Sequence, residues 1–298
     1  MFPISKDRAN RRSPLARALQ IVFASLMMLV SGPARGWQDG GQSTYDLLSI
    51  HPTGAAKSSE SSADLRPCAF QQVTPGVSKL ADVLQQLGVP SEESEVDGTR
   101  TLTYTVEPFE KVEILLNRES VTSIVLRLRA SASPRQIAKE LALENFDATP
   151  VVSEIGQLLG RAYPERGLLM NFASDSGDTK VSALVLETIS AELFVLRVKN
   201  DARHRYQQNL ADLEIALELD PSHVEALSHR ARILCATGQF EQGLSSIDQA
   251  LQLASDNADC ALQRAELLAK LERHDEALTP IKRIVNDPSH RIGVRARG

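Results

Sequence analysis

The chain has 298 residues, with 33 Lys+Arg against 38 Asp+Glu and a net charge of −5. Charged residues at 24% and the apolar group at 42% exclude a disordered or largely membrane-embedded chain. Three cysteines exclude a disulfide-built scaffold, and the acidic balance argues against nucleic acid as a partner.

Lys6, Arg8, Arg11, Arg12 and Arg17 crowd the start, and an apolar run follows from Ala18 to Val30. Ser31-Gly32-Pro33 breaks it, and Ala34-Arg35-Gly36 places small residues before Trp37. This pattern predicts an export signal over 1–36. As a helix the apolar run spans about 20 Å, short of a ~30 Å hydrocarbon core, so no stable membrane span is expected after cleavage. A retained anchor is the alternative. Cleavage would remove six basic residues and one acidic residue, leaving a net charge of −10. Such a surface repels anionic lipid and nucleic acid. The expected location is the periplasm, the cell envelope or the exterior. The odd number and irregular spacing of Cys68, Cys235 and Cys260 predict buried small residues rather than a bridge.

Residues 37–73 hold Gly40-Gly41, His51-Pro52, a Ser-rich run and Arg66-Pro67. This composition predicts a flexible linker, with Tyr45, Leu47, Leu48 and Ile50 as a short docking segment at most.

Residues 74–190 predict an α+β module in two copies, about 74–130 and 131–190. Val77, Leu80, Ala81, Leu84 and Leu87 recur at helical spacing, and Gly88-Val89-Pro90 stops the helix. Thr101–Val106 alternates strictly, followed by Val112–Leu116 and Val121–Leu126, which predicts a three-stranded meander. Ser133-Pro134 opens a second helix through Ile137, Ala138 and Leu141. Strands are expected near 148–155, at 168–172 and at 181–186. The final strands of the copies lie sixty residues apart. A pair of such units can bury their sheet faces together.

The stretch Pro75-Gly76-Val77-Ser78 with Val83–Pro90, Tyr104 and a hairpin resembles the small envelope modules of the SmpA/OmlA type. The tandem is similar in design to the β-lactamase inhibitor proteins. Both resemblances imply binding domains of the envelope or exterior, not enzymes.

Residues 191–298 predict an all-α array. Val224–Asn257 forms a 34-residue unit with Ala231, Gly243 and Ala250 where helices touch, Gly238 at the turn, and Phe240, Leu244, Ile247 and Leu251 between helices. Arg264-Ala265 repeats Arg230-Ala231 at a spacing of 34, and Leu268, Leu271, Ala277, Leu278, Ile281 and Ile284 continue the frame. Glu272 stands where Gly238 stands, and His274 where Phe240 stands. The pattern resembles a tetratricopeptide repeat (TPR) solenoid. The predicted repeats are 224–257 and 258–288, with the start of a further helix at 289–298. Tyr206–Leu219 with Asp220-Pro221 fits a second repeat helix. Its first helix would be Ala191–Asn200, where Leu193 and Leu196 fit but Arg197 and Asn200 do not, so a final strand of the preceding module stays open. No polar capping helix follows the array before Gly298, although solenoids usually carry one.

The resemblance implies that first helices line a concave binding face. Here that face would present Ser228, His229, Arg232, Leu262, Gln263 and Glu266, a set of mixed charge. Arg232 and Glu266 stand where the clamps of cytosolic chaperone tails carry Asn. A solvated face without a ligand is the alternative.

No His pair has H-E-x-x-H spacing, no C-x-x-C is present, and G-x-S-x-G, P-loop and G-x-G-x-x-G motifs are absent. Neither metal nor cofactor is expected. Glu92-Glu93 reads as part of an exposed loop, and Tyr163–Gly167 as the entry to a hairpin or a ligand-binding turn. The predicted protein is an exported, non-catalytic TPR scaffold with a protein or peptide partner. The alternatives are an envelope-enzyme inhibitor or adaptor acting through the α+β module, and a hydrolase with an unfamiliar nucleophile.

Overall fold

The computed structural model describes residues 50–52, 65–153, 155–173, 180–201 and 203–277. The predicted signal, most of the predicted linker, the turn at 174–178, Leu278, Ile281, Ile284 and the segment 289–298 lie outside the described residues.

Two parts of the predicted linker are strands. β1 (Ile50–Pro52) pairs antiparallel with β2 (Cys68–Phe70). Phe70 is fully buried and meets Phe109 edge to face, ring centres 5.6 Å apart. The run Cys-Ala-Phe is too short to show a period, yet one aromatic ring is enough to anchor it in a core.

α1 (Leu80–Leu87) starts where the Lys79 N–H donates to the Asp82 carboxylate at 2.8 Å, and it stops at Gly88, whose φ is 75°. Its inward line is Leu80, Val83 and Leu87, not the whole predicted stripe. Ala81 and Leu84 face water, and Val77, just before the helix, is 72% exposed.

Four strands follow where three were expected: β3 (Glu92–Val96), β4 (Thr99–Tyr104), β5 (Phe109–Asn117) and β6 (Ser120–Ala132). All five β3 residues are exposed, so no apolar alternation marks the strand, and Glu92-Glu93 lies in it rather than in a loop. Asp97-Gly98, both at positive φ, makes the tight turn into β4. α2 (Pro134–Glu140) is capped by Ser133 Oγ, which accepts from the Gln136 N–H at 3.2 Å. β7 (Thr149–Val152), β8 (Leu158–Tyr163), β9 (Leu168–Phe172) and β10 (Val181–Glu187) complete the module. β8 was not expected as a strand.

The eight strands form one antiparallel sheet in the order β3-β4-β5-β6-β10-β9-β8-β7. Two four-stranded meanders therefore meet through their last strands. Val125 pairs with Val185, its counterpart sixty residues on, and Ile124↔Leu186 and Leu126↔Leu184 flank that pair. This is the register of a local twofold. The halves join edge to edge rather than face to face, and the contact closes the one edge each meander would leave open at its centre. Leu126 and Leu184 on one face, and Val125 and Val185 on the other, are all buried.

The helices run as α3 (Ala191–Lys199), α4 (Tyr206–Leu219), α5 (Val224–Ala236), α6 (Phe240–Leu253) and α7 (Ala258–Lys270), with helical residues again at 274–277. α3 is a helix and not a final strand. Each helix packs on the next, and α3 with α5 and α5 with α7 also touch. The chain is thus α+β with a stack of antiparallel helices after the sheet. Leu227, Ala231, Leu244, Ile247, Ala250 and Leu268 form part of the array core. A Cβ on Gly243 would lie 3.2 Å from the Ala231 carbonyl oxygen, so the small pair lets α5 and α6 approach closely.

Caps and turns recur at the same spacing of 34. His223 Nδ1 accepts from the Ala226 N–H at 3.2 Å, and Asn257 Oδ1 accepts from the Cys260 N–H at 3.1 Å. Gly238 turns at φ 77°, and Glu272 holds the same left-handed turn at φ 61°. A non-glycine residue there is strained by about 1 kcal/mol. Glu272→Gly is expected to raise stability by about 0.5–1 kcal/mol in chemical denaturation. A loss of stability would show that the Glu272 side chain contributes more than its backbone costs.

Candidate functional site

A buried ionic cluster joins α3 to α4 and to the turn between β8 and β9. Arg197 on α3 is 6% exposed and Asp212 on α4 is 4% exposed. Arg197 Nε donates to Asp212 Oδ2 at 2.9 Å and Nη2 to Oδ1 at 2.5 Å. Nη2 also lies 2.7 Å from Glu165 Oε1 in the 3-10 turn between β8 and β9, and Nη1 donates to the Asp147 carbonyl at 3.2 Å. Asn200 donates to the Pro150 carbonyl at 2.9 Å. Arg197 and Asn200, the misfits to the repeat pattern, are thus the residues that tie α3 to the sheet. Arg197 stands 34 residues before Ala231, and Asn209 stands 34 before Gly243, so the positions of the small pair are taken here by polar side chains, Arg197 bonded to Asp212 and Asn209 to Asp201.

Two carboxylates share one guanidinium in this cluster, and Glu165 Oε2 is buried with no hydrogen-bond partner among the described residues. Burial opposes the Arg197 charge, but Asp212 and Glu165 outweigh it, so the guanidinium stays protonated. Burial, with the Glu165 charge behind it, pushes the Asp212 carboxyl up despite Arg197. Gly167, at φ 54°, fixes the turn carrying Glu165: a Cβ there would sit 2.1 Å from the Glu187 carbonyl oxygen. The Tyr163–Gly167 run is therefore an internal clamp, with Arg166 over the Phe146 ring at 4.2 Å.

Asp201, after α3, accepts from the Arg203 and Arg205 N–H groups, from Arg205 Nε and from Asn209 Nδ2. These donors, the Arg205 N–H first, hold its carboxyl at about 2.

The predicted face lies on α5 and α7. Gln263 Oε1 accepts from Ser228 Oγ at 2.9 Å and from Arg232 Nη2 at 3.1 Å, while its nitrogen donates to the Ser228 carbonyl at 3.2 Å, with the amide oriented by those neighbours. Ser228, Gln263 and Arg232 are therefore one chain across the two helices. His229 belongs to another group: its Nε2 is 3.9 Å from Glu225 Oε1, and Glu225 also meets Lys199 of α3 at 2.9 Å. His229 first and then Lys199 hold the Glu225 carboxyl at about 2. Leu262 is 50% exposed, and Glu266 is exposed.

Cys68 and Cys260 are buried, Cys235 is half-buried, and all three are free thiols. Burial pushes Cys68 up to about 11, so its thiolate is not available near neutral pH. Among the described residues, no three His, Cys, Asp or Glu side chains gather as metal ligands, and no helix is long and apolar enough to cross a membrane.

No family model and no curated protein matches the chain. Among solved structures, it is similar to MamA at 15% identity, covering 31% of this chain and 51% of that one, with a TM-score of 0.30. It is similar to the second TPR of Spaghetti (RPAP3), bound to the HSP90 peptide SRMEEVD, at 15% identity, with coverage of 31% and 87% and a TM-score of 0.30. An extracellular protein containing an SCP domain from Bacillus anthracis str. Ames is 10% identical, with coverage of 62% and 64% and a TM-score of 0.30. The chain spans about half the length of the MamA chain it matches. None of these three is a SmpA/OmlA-type module or a β-lactamase inhibitor protein. At such TM-scores the function rests on the chain's own geometry.

Proposed function

We propose that this protein is a non-catalytic scaffold, exported from the cytoplasm, whose α5–α7 face holds a segment of a protein partner. The observation that carries this reading is the Ser228–Gln263–Arg232 chain. It spans neighbouring first helices and, with the Gln263 amide oriented by its neighbours, holds the Arg232 guanidinium, while Leu262 and Glu266 are exposed on α7. A preset cation, a carboxylate and an apolar side chain on one rigid surface can fix the register of a peptide while losing little rotamer entropy. Export rests on the sequence pattern of residues 1–36.

The double substitution Arg232→Glu with Glu266→Arg keeps the net charge and reverses its arrangement. Partner capture by the full chain in pulldown is expected to fall at least tenfold, with an unchanged melting temperature. Unchanged capture removes this face from the account.

A further inference from the structure

The sheet offers a second surface, independent of the helical face. We propose that the outer edge of β3 accepts an added strand from a basic segment of a partner protein. β3 is the terminal strand, paired only with β4, and among the described residues nothing pairs with its other side. Its twofold counterpart β7 is closed. Pro150 brings no N–H to that edge, its carbonyl is taken by Asn200, and α3 packs there. Among the described residues, nothing covers the same position on the first half.

The open edge lies between two exposed apolar side chains. Val89, in the turn that leads into β3, is 90% exposed, and Val96 at its far end is 68% exposed. A strand laid along Val89–Val96 would be about 23 Å long at roughly 3.3 Å per residue. It would gain backbone hydrogen bonds and cover one valine at each end.

Charge selects the occupant. Glu92, Glu93 and Glu95 stand in five consecutive residues, with Glu119 close by, against Arg100, which Glu93 meets at 2.6 Å. A second copy adding antiparallel through β3 would set Glu against Glu, which is destabilising in cross-strand pairs. Neutral and acidic strands meet the usual charged-edge barrier. A segment that alternates Lys or Arg with β-branched apolar residues turns that barrier into attraction.

The test uses the full chain and two labelled probe peptides, acetyl-Lys-Val-Lys-Val-Lys-Val-amide and its Glu-for-Lys counterpart. Binding is followed by fluorescence anisotropy at low and physiological salt, and backbone amide exchange is measured in the same mixtures. The basic peptide is expected to bind at least tenfold more tightly, to slow exchange within 92–96, and to lose tenfold on Glu92→Lys with Glu95→Lys. Those side chains are exposed, so an unchanged melting temperature certifies the variant's fold. Equal binding of the two peptides overturns the proposal. So does basic-peptide binding without slowed exchange at β3, which is charge adsorption only. Self-association through β3, detected in sedimentation and abolished by Ser94→Pro, would overturn the choice of occupant.

Discussion

Arg197→Ala is expected to destabilise the protein by about 3–5 kcal/mol in urea denaturation at pH 7. The cost exceeds that of a surface pair because Asp212 and Glu165 stay buried with no cation between them. The pair itself need not be strongly stabilising. A triple variant, Arg197→Met, Glu165→Gln and Asp212→Asn, is expected to regain most of the loss, since no unpaired charge remains. The single variant also has a signed pH dependence. Without Arg197, burial holds the Asp212 carboxyl above its unfolded value, so the folded state binds the proton more tightly. Stability then rises as pH falls towards the unfolded carboxylate range and is lost as pH rises through the folded value. A single variant equally unstable at pH 5 and pH 7 would show that its defect is lost packing rather than uncompensated charge.

Gly167→Ala is expected to cost about 3 kcal/mol or more. The residue is at φ 54°, where an L side chain adds about 1 kcal/mol. The new Cβ also meets the Glu187 carbonyl oxygen at 2.1 Å, while the Glu187 N–H donates to the Gly167 carbonyl at 2.7 Å. A turn bonded this tightly to β10 cannot relax without moving Glu165 from Arg197. Gly98→Ala serves as the control: that glycine is also at positive φ, but its added Cβ would meet nothing within 4 Å. It should lose only the backbone part. Equal losses in the two variants would show that the close approach contributes nothing.

The helical part was the more legible in sequence. Its signals are local: the small residues Ala231 and Gly243 and the turn at Gly238 lie within one helix pair, and the Arg-Ala pair returns 34 residues on. Glu272 breaks the glycine pattern without breaking the turn, because the neighbouring helices hold it in the left-handed region. In the sheet, β3 was invisible because an edge strand exposed on both faces carries no alternation. Its trace was the Asp97-Gly98 turn. The joining of the halves was equally hidden. Apolar strands that match in kind fit a face-to-face or an edge-to-edge pair, and only the register Val125↔Val185 distinguishes them.

The residues of the candidate face lie on two neighbouring helices, α5 and α7, but their bonding to one another was not readable. Gln263 and Ser228 lie 35 residues apart, and nothing in their spacing says that they orient Arg232. The Arg197 cluster was present in sequence only as a pair of misfits. A large charged side chain at a small-residue position is the trace of a contact made outside the repeat, and it could have been sought as such.

The central claim is that the α5–α7 face, not the helical surface in general, receives the partner. Leu262 on α7 and Leu253 on α6 are matched reporters, 50% and 51% exposed. A photo-crosslinking phenylalanine analogue is introduced at each position in the full chain, which is expressed in its own host and irradiated there. The account predicts a defined adduct from position 262 that is absent from position 253 and is lost when Arg232→Glu is added. An adduct from 253 alone, or equal adducts from both, would contradict it.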